Sequence, residues 1–293
     1  MTPGATNAVP LSSEGQRRFA LAVDLARRAG DLLRSGLGRA SVEHKSSLEL
    51  VTEFDRASEL LIVEAIRRAF PNDAILAEEG GATEGEDWRW IVDPLDGTTN
   101  FAHGLPHFAV SIAGEDRGSS RISALSAPEG ASGSGHPVGD RTQLAFGVVY
   151  DPMREELFAA QRGSGATLNE ANLRVSGASR LADSLLVTGF PYDLDRNPEN
   201  NLDRYASLAL QTRGVRRLGS AALDLAYVAA GRFDGYWELR LAPWDLAAGI
   251  VLVTEAGGTV TRVDGGPDAL RPPVSIVASN GRIHAALLEA LKR

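Results

Sequence analysis

One twelve-residue string constrains this chain of 293 residues more than any other: WIVDPLDGTTNF, residues 90–101. It predicts an apolar strand that ends in two carboxylates, Asp93 and Asp96. Pro94 fixes φ between them, so both carboxylates can face one point instead of alternating across a sheet. Carboxylates that converge without a basic partner repel one another, and hard divalent cations are the usual remedy. The string therefore indicates a cation site at the end of a strand.

The residues that follow the two carboxylates are suited to an anion. Gly97, Thr98 and Thr99 supply backbone N–H groups and hydroxyls to a helix N-terminus, a composition that can cradle a phosphate. Metal-binding carboxylates beside an anion cradle are the arrangement that phosphoryl chemistry needs. Each residue of Asp-Pro-Leu-Asp-Gly is also a turn former, so that pentapeptide alone is more typical of an ordinary turn.

Other acidic and basic side chains supply weaker signals. Glu78, followed by Glu79, ends the strand-like run AILA, and Asp245 stands at the start of a predicted helix. Taken singly, these are also typical of a solvated strand end and an ordinary helix cap. His103 and His107 follow the opening string closely, and we interpret them as structural or solvated side chains.

Composition excludes several classes of function. With 30 Lys and Arg against 38 Asp and Glu, the formal charge is −8, which disfavours a protein that coats nucleic acid or anionic membrane. The chain has no cysteine, which excludes disulfides, thiolate metal sites and cysteine nucleophiles. No secretory signal pattern begins the sequence, and no apolar run approaches the length of about 18 residues that a membrane span needs. We expect a soluble, cytoplasmic protein.

Periodicity predicts alternating helices and strands, which is typical of layered α/β packing. The predicted helices cover about residues 13–37, 55–70, 198–211, 220–231, 244–256 and 281–291. The predicted strands cover about residues 74–77, 88–92, 108–113, 144–150, 156–160, 185–188, 215–218, 233–238, 259–263 and 274–278. Residues 115–142 are rich in Ser, Gly, Ala and Pro and predict a solvent-exposed insertion.

These motifs resemble those of the inositol monophosphatase family, metal-dependent and lithium-sensitive phosphatases. WIVDPLDGTTNF resembles its first signature and PWDLAAGIVLVTEAGG its second, while RRLGSAALDLAYVAAGRFDGYWE resembles the bacterial inositol-1-phosphatase branch. Upstream, Lys45, LELVTEFD and ILAEEG match further family elements, and all motifs occur in family order. The resemblance covers roughly residues 14–292 apart from the insertion. One departure is Glu49, which stands where the family commonly has Asp.

The resemblance implies an α/β (α+β) fold, the layered αβαβα sandwich of inositol monophosphatases and fructose-1,6-bisphosphatases. Residues 1–183 would form an N-terminal α+β half with the metal-binding motifs. Residues 184–293 would form a C-terminal α/β half with substrate-binding residues. A homodimer is expected on the same ground.

The resemblance also assigns roles to individual residues. The ligands of two or three Mg²⁺ ions would be Glu78, Asp93, the backbone carbonyl of Leu95, Asp96 and Asp245. The catalytic residues would be Glu78 and Thr98, which orient the attacking water, and Asp55, which supports Thr98. The phosphate would be bound by Gly97, Thr98 and Thr99, and the alcohol by Ala221, Glu238 and Asp245.

The function implied is a Mg²⁺-dependent phosphomonoesterase that hydrolyses inositol-1-phosphate or a similar small polyol phosphate. Metal-activated water would attack directly, and lithium would inhibit. Fructose-1,6-bisphosphatase, 3′-phosphoadenosine phosphatase and histidinol-phosphatase share the metal signatures and stay open as alternatives. An alternative of another class is a protein that binds a partner in the transcription machinery. We expect a small phosphomonoester as the ligand, and neither a membrane nor nucleic acid.

Overall fold

The computed structural model of the protein describes residues 11–44, 50–118 and 143–292. The helices in this part of the chain are α1 (Ser13–Gly36), α2 (Glu53–Ala69), α3 (Thr98–Ala102), α4 (Leu202–Gln211), α5 (Ala221–Ala229), α6 (Pro243–Glu255) and α7 (His284–Leu291). A short 3₁₀ turn occupies Leu181–Asp183. None of the described helices has the length and apolar content needed to cross a bilayer.

The strands form one small ribbon and two sheets. The ribbon pairs β1 (Val42–His44) with β2 (Leu50–Thr52). The strands of the larger sheet are β3 (Ala74–Ala77), β4 (Gly81–Thr83), β5 (Trp88–Asp96), β6 (Ala109–Asp116), β7 (Gln143–Asp151), β8 (Glu156–Gln161), β9 (Gly165–Leu168) and β10 (Ala171–Asn172). Its order is β10-β9-β8-β7-β6-β5-β3-β4, and its pairs are antiparallel except for the parallel pair of β3 and β5.

The second sheet comes from the C-terminal part of the chain. Its strands are β11 (Leu185–Thr188), β12 (Gly214–Arg216), β13 (Gly235–Leu239), β14 (Thr259–Thr261) and β15 (Ser275–Ser279), in the order β12-β11-β13-β15-β14. β11 pairs parallel with β12 and β13, whereas β15 pairs antiparallel with β13 and β14. The larger sheet ends before residue 183 and this one begins after it, and the division of the chain into two halves there stays a prediction.

Helices and sheets alternate in five layers. α1 and α2 cover the outer face of the eight-stranded sheet, α5 and α6 lie between the sheets, and α4 and α7 cover the outer face of the five-stranded sheet. Residues of a strand point alternately to its two faces. On β5, Trp90 and Val92 accordingly pack with α1 and α2, while Ile91 packs with the middle helices. The αβαβα sandwich expected from the sequence is confirmed.

The middle helices are largely buried because each has a sheet above and below it. Every residue of α5 is buried, which explains its alanine-rich sequence. Gly147 of β7 lies against Ala248 of α6, and Gly249 of α6 lies against Leu225 of α5, so that a Cβ atom at either glycine would overlap its neighbour. Glycine at these two positions therefore allows α6 to pack closely against β7 and α5.

A buried ion pair attaches α1 to the larger sheet. The Nε and Nη2 atoms of Arg18 donate to the two carboxylate oxygens of Asp73, each at 2.8 Å. The indole nitrogen of Trp90 donates to the same carboxylate, also at 2.8 Å. Asp73 immediately precedes β3, so this cluster positions the strand that leads to Glu78.

Most of the predicted helices and strands are confirmed, with shifts of a few residues at their ends. α4 begins at Leu202 instead of residue 198, because Asn201 has a φ of 73° and its side-chain amide donates to the Gly189 carbonyl at 2.8 Å. The exposed or very short strands β1, β2, β4, β9 and β10 were not predicted.

The predicted insertion at 115–142 begins too early. Strand β6 continues to Asp116, and Glu115 is fully buried, with its carboxylate 2.6 Å from the Nε atom of Arg89. An exposed insertion therefore cannot begin at residue 115. Residues 119–142 lie outside the described residues, as do Lys45 and Glu49.

Candidate active site

A β-bulge brings Asp93 and Asp96 to one face of the larger sheet. Asp93 pairs with Ser111 of β6 and Asp96 pairs with Ala109, so three steps along β5 match two steps along β6. In a regular strand, residues three apart point to opposite faces, and one extra residue restores a common face. Pro94 fits inside the bulge because it has no N–H to donate to the ladder. The extra residue, more than the fixed φ of Pro94, explains the convergence.

Asp93 lies at the centre of a group of carboxylates. Its side chain is buried, and the Leu95 N–H donates to its Oδ1 atom at 3.0 Å. Burial raises the pKa of Asp93 well above its usual value, and the charges of Glu78, Asp96 and Asp245 raise it further. The four acidic residues that the sequence placed at this site are therefore close enough to repel one another.

Asp96 connects the bulge to the N-terminus of α5. Its Oδ2 atom accepts hydrogen bonds from the Ser220 hydroxyl at 2.5 Å and from the Ala222 N–H at 2.8 Å, and its Oδ1 atom accepts one from the Ala221 N–H at 3.1 Å. Burial raises the pKa of Asp96 to about 6, although these hydrogen bonds act in the opposite direction. Because the Ala221 N–H is already bound to Asp96, only the methyl group and carbonyl of Ala221 are left for a ligand.

Asp245 and Glu78 approach the same point from two other elements. Asp245 lies in the first turn of α6, where its Oδ2 atom accepts from the Ala242 N–H at 2.7 Å. Burial raises the pKa of Asp245 well above its usual value, with Asp96, Glu78 and Glu238 adding to the effect. Glu78 directly follows β3, whose last residue Ala77 pairs with Val92 of β5, so Glu78 comes next to the position of Asp93.

The donor set suits a hard divalent cation in its chemistry. Within the described residues no ion pair reaches Asp93, Asp96 or Asp245, and neither Asp93 Oδ2 nor Asp245 Oδ1 accepts a hydrogen bond there. Asp96 already accepts hydrogen bonds from the N-terminus of α5 at both of its oxygens. Across the same described part of the chain, no three acidic or histidine side chains already lie in the arrangement of a formed metal site.

Thr98 and Asp55 lie within hydrogen-bond distance. Asp55 occupies the third position of α2 and completes a capping box, in which its Oδ2 atom accepts from the N–H and the hydroxyl of Thr52 at 2.8 and 2.6 Å. Its other oxygen lies 3.0 Å from the Thr98 hydroxyl, which is also 2.9 Å from the Leu95 carbonyl. The single proton of Thr98 therefore has two competing acceptors. Burial raises the pKa of Asp55, against the effect of its hydrogen bonds.

The turn that begins α3 depends on Gly97. Its φ of 93° lies in the left-handed region, and a Cβ atom there would lie 3.1 Å from the His107 carbonyl oxygen. The Asn100 side-chain amide fixes the turn by donating to the carbonyls of His107 and Leu218 at 2.8 and 2.9 Å. The N–H groups of Thr98 and Thr99, in the first turn of α3, have no acceptor within the helix and are available to an anion.

A pocket opens beside the bulge, and Glu238 forms part of its wall. Glu238 and Tyr236 are two residues apart on β13, so both face the middle layer, and the Tyr236 hydroxyl donates to Glu238 Oε2 at 2.6 Å. Burial raises the pKa of Glu238 to about 7. Gly189 lies directly against this carboxylate, with no room for a Cβ atom. The full lining is Asp96, Gly97, Gly189, Phe190, Tyr192, Arg217, Gly219, Ser220, Ala221, Asp224, Glu238, Leu241 and Asp245.

Several residues in or beside this site were not predicted from the sequence. Asp224 of α5 is buried, and burial with the charges of Glu238 and Asp96 raises its pKa well above the usual value. Ser220, Tyr236 and Gly189 reach the site only through tertiary contacts, which no local pattern reveals. Thr52 could have been found, because Thr-x-x-Asp before an apolar run is a capping signal.

The two histidines near α3 occupy positions consistent with their expected roles. His103 is exposed, and its Nδ1 atom lies 2.8 Å from the Thr99 carbonyl oxygen. His107 is buried, its ring centroid lies 6.1 Å from that of Tyr227, and burial lowers its pKa.

Known proteins share both the sequence and this architecture. The sequence profile of the inositol monophosphatase family matches residues 15–135 and 138–293. A Pseudomonas aeruginosa protein named Nus factor SuhB is 45% identical over 281 residues, covering 93% of this chain and 94% of the relative. An inositol-1-monophosphatase of Mesorhizobium japonicum is 44% identical over 277 residues, covering 92% and 94%.

A solved structure gives the same result in three dimensions. The inositol monophosphatase from Anabaena (Nostoc) superposes with a TM-score of 0.80 at 41% sequence identity, covering 96% of this chain and 97% of that one. The residues that the family profile matches include the bulge, α3, α5 and α6. The chain therefore belongs to the inositol monophosphatase family.

Proposed function

We propose that this protein is a Mg²⁺-dependent phosphomonoesterase that hydrolyses inositol-1-phosphate or a similar small polyol phosphate. The observation that supports the proposal most strongly is the crowding of Glu78, Asp93, Asp96 and Asp245. Folding these acids together is unfavourable unless a cation binds them. They adjoin the N–H groups of α3, which suit a phosphate.

The cation-binding residues would be Glu78, Asp93, Asp96, Asp245 and the carbonyl of Leu95. Two or three Mg²⁺ ions bound there would lower the pKa of a water molecule and neutralise charge on the phosphate and the departing alkoxide. A phosphomonoester dianion repels hydroxide, so this electrostatic contribution is the main requirement of the reaction.

The residues around the bulge would orient the attacking water. The Asp55 oxygen lies within hydrogen-bond distance of the Thr98 hydroxyl, which would donate to it while the Leu95 carbonyl serves as a ligand. The Thr98 oxygen would then accept a hydrogen bond from the water. Glu78, which directly follows β3, would hold the same water. Asp55 keeps this arrangement because the capping box fixes its other oxygen.

The phosphate and the alcohol would occupy opposite ends of the pocket. The N–H groups of Gly97, Thr98 and Thr99 would bind the phosphate. Glu238, Asp245 and the surface of Ala221 would contact the hydroxyls of the alcohol. The relative named inositol-1-monophosphatase supports a polyol phosphate as the substrate.

A substrate panel tests the proposal. Purified protein is assayed for phosphate release from inositol-1-phosphate, fructose-1,6-bisphosphate, 3′-phosphoadenosine 5′-phosphate and histidinol phosphate, each with Mg²⁺ and with EDTA. We expect the highest kcat/KM on inositol-1-phosphate and loss of turnover in EDTA. Faster turnover of another ester would assign the protein to that activity, and no turnover of any ester would reject the phosphatase.

Lithium inhibition follows from the same proposal. Li⁺ can occupy a carboxylate site but lacks the second positive charge that the reaction needs. We expect inhibition at millimolar Li⁺, relieved by raising Mg²⁺. Full activity at tens of millimolar Li⁺, with K⁺ as the ionic-strength control, would contradict it. We also propose that the protein acts in the cytoplasm as a homodimer, which light scattering of the purified protein tests.

A second candidate function is binding to a partner in the transcription machinery. The relative named Nus factor SuhB, at 45% identity, supports it. The Asp93→Asn variant separates the two functions in cells that lack the gene. If Asp93→Asn restores the function that these cells have lost, partner binding is favoured as the cellular role. If the variant is present at the normal protein level and does not restore it, phosphatase activity is favoured.

A further inference from the structure

The alcohol end of the pocket contains a second buried acid beside Glu238. Asp224 lines the pocket from α5, only 1% exposed, while Glu238 lines it from β13 at 8%. They lie close enough that the charge of Glu238 raises the pKa of Asp224. Two carboxyl groups therefore form one wall.

The hydrogen bonds of these two acids are incomplete within the described residues. The Tyr236 hydroxyl supplies one hydrogen bond, to Glu238. Asp224 receives none from any described residue, and its Oδ1 atom is buried without a partner. Arg217 is exposed at the pocket rim and forms no ion pair with either acid in the described part of the chain. The hydrogen bond that Asp224 lacks can therefore be made by a ligand that fills the pocket.

We propose that Asp224 is a specificity-determining residue, which together with Glu238 selects alcohols that carry at least two neighbouring hydroxyl groups. The inference rests on the proposed phosphatase function and extends it to the leaving group. Adjacent hydroxyls of a polyol supply one donor to each acid. An aryl alcohol or an alcohol without further hydroxyls supplies none and leaves buried acceptors unsatisfied, which is strongly unfavourable.

A purely structural role would have the opposite effect on stability. A buried carboxyl group without a hydrogen bond destabilises the fold, so an apolar side chain of similar size should be tolerated or stabilising. Loss of activity on polyol esters together with unchanged or higher stability is therefore the signature of a substrate contact.

The experiment compares two esters in three proteins. Wild type, Asp224→Leu and Asp224→Asn are assayed with Mg²⁺ on inositol-1-phosphate and on p-nitrophenyl phosphate. We expect Asp224→Leu to lower kcat/KM for inositol-1-phosphate by about 10- to 100-fold, mainly through KM, and to change that for the aryl ester by less than about threefold. Asp224→Asn keeps one acceptor, so its kcat/KM for inositol-1-phosphate should lie between the values of wild type and Asp224→Leu. Its melting temperature and that of Asp224→Leu should match or exceed the wild-type value.

Asp151→Asn is the matched control, because Asp151 is a fully buried acid on β7 that binds its own turn and lies outside the pocket. Its ratio of the two kcat/KM values should stay at the wild-type value. An unchanged ratio in both Asp224 variants would overturn the inference, and so would equal losses on both esters. If Asp224→Leu does not fold, the inference is overturned unless Asp224→Asn shows the selective loss. Wild type that hydrolyses neither ester would instead reject the proposed function.

Discussion

Replacing Glu238 by glutamine removes an ionisable group that the folded protein holds in its neutral form. Burial raises the pKa of Glu238 from 4.5 to about 7, although the Tyr236 hydrogen bond and the charge of Arg217 act against it. As the pH rises, the unfolded chain releases this proton before the folded protein does. The folded state of the metal-free protein is therefore destabilised relative to the unfolded chain. Glutamine has the same shape and can still accept from Tyr236.

The magnitude follows from the two pKa values. The interval between 4.5 and about 7, at about 1.4 kcal/mol per pH unit, corresponds to about 3 kcal/mol. Below about pH 4 the group is protonated in both states and contributes nothing, and above about pH 8 the loss is complete. Between those limits wild type should lose about 3 kcal/mol of stability that Glu238→Gln does not lose.

Urea unfolding in EDTA at about pH 4, 6 and 8 measures this difference, provided that both proteins show the same m-value. Glu199→Gln, at an exposed position in the loop before α4, controls for the loss of one negative charge. A difference in unfolding free energy that does not change with pH would refute the reasoning. So would a Glu238→Gln variant that becomes the less stable protein as the pH rises.

Three further substitutions test other parts of the structure. Thr98→Val removes the hydroxyl that lies 3.0 Å from the Asp55 carboxylate, so the rate of phosphate release should fall by about 100-fold or more at an unchanged melting temperature. A rate near that of wild type would exclude Thr98 from the reaction. Gly189→Ala displaces the Glu238 carboxylate, so KM for inositol-1-phosphate should rise about tenfold. An unchanged KM would argue against contact between Glu238 and the substrate. Arg18→Met leaves Asp73 buried without its bidentate partner, so the free energy of unfolding in urea should fall by about 3–5 kcal/mol while kcat is preserved. A fall in that free energy of less than about 1 kcal/mol would contradict the importance of this ion pair.

The carboxylates of the opening string were predictable because their residue types and order are local information. Their common face was also predicted, but its main cause was not. The bulge at Pro94 depends on how β5 pairs with β6, and the sequence of one strand does not contain the register of two.

The alcohol end of the pocket was harder to predict. Glu238 was placed there through the family resemblance, whereas Asp224 was missed. α5 is buried on every side, so its sequence has no polar face from which the direction of Asp224 can be inferred. Gly189 contacts Glu238 only after β11 and β13 pair, which again requires the tertiary structure.

If the protein is the proposed phosphatase, a divalent cation bound by the carboxylates around Asp93 is required for phosphate release. The decisive measurement is the initial rate of inositol-1-phosphate hydrolysis by metal-stripped protein as free Mg²⁺ is raised. We expect no rate above background without Mg²⁺, a saturable rise as it is added, and no such rise in Asp93→Asn. A rate that is independent of Mg²⁺, or a Mg²⁺-dependent rate retained by Asp93→Asn, would contradict the account.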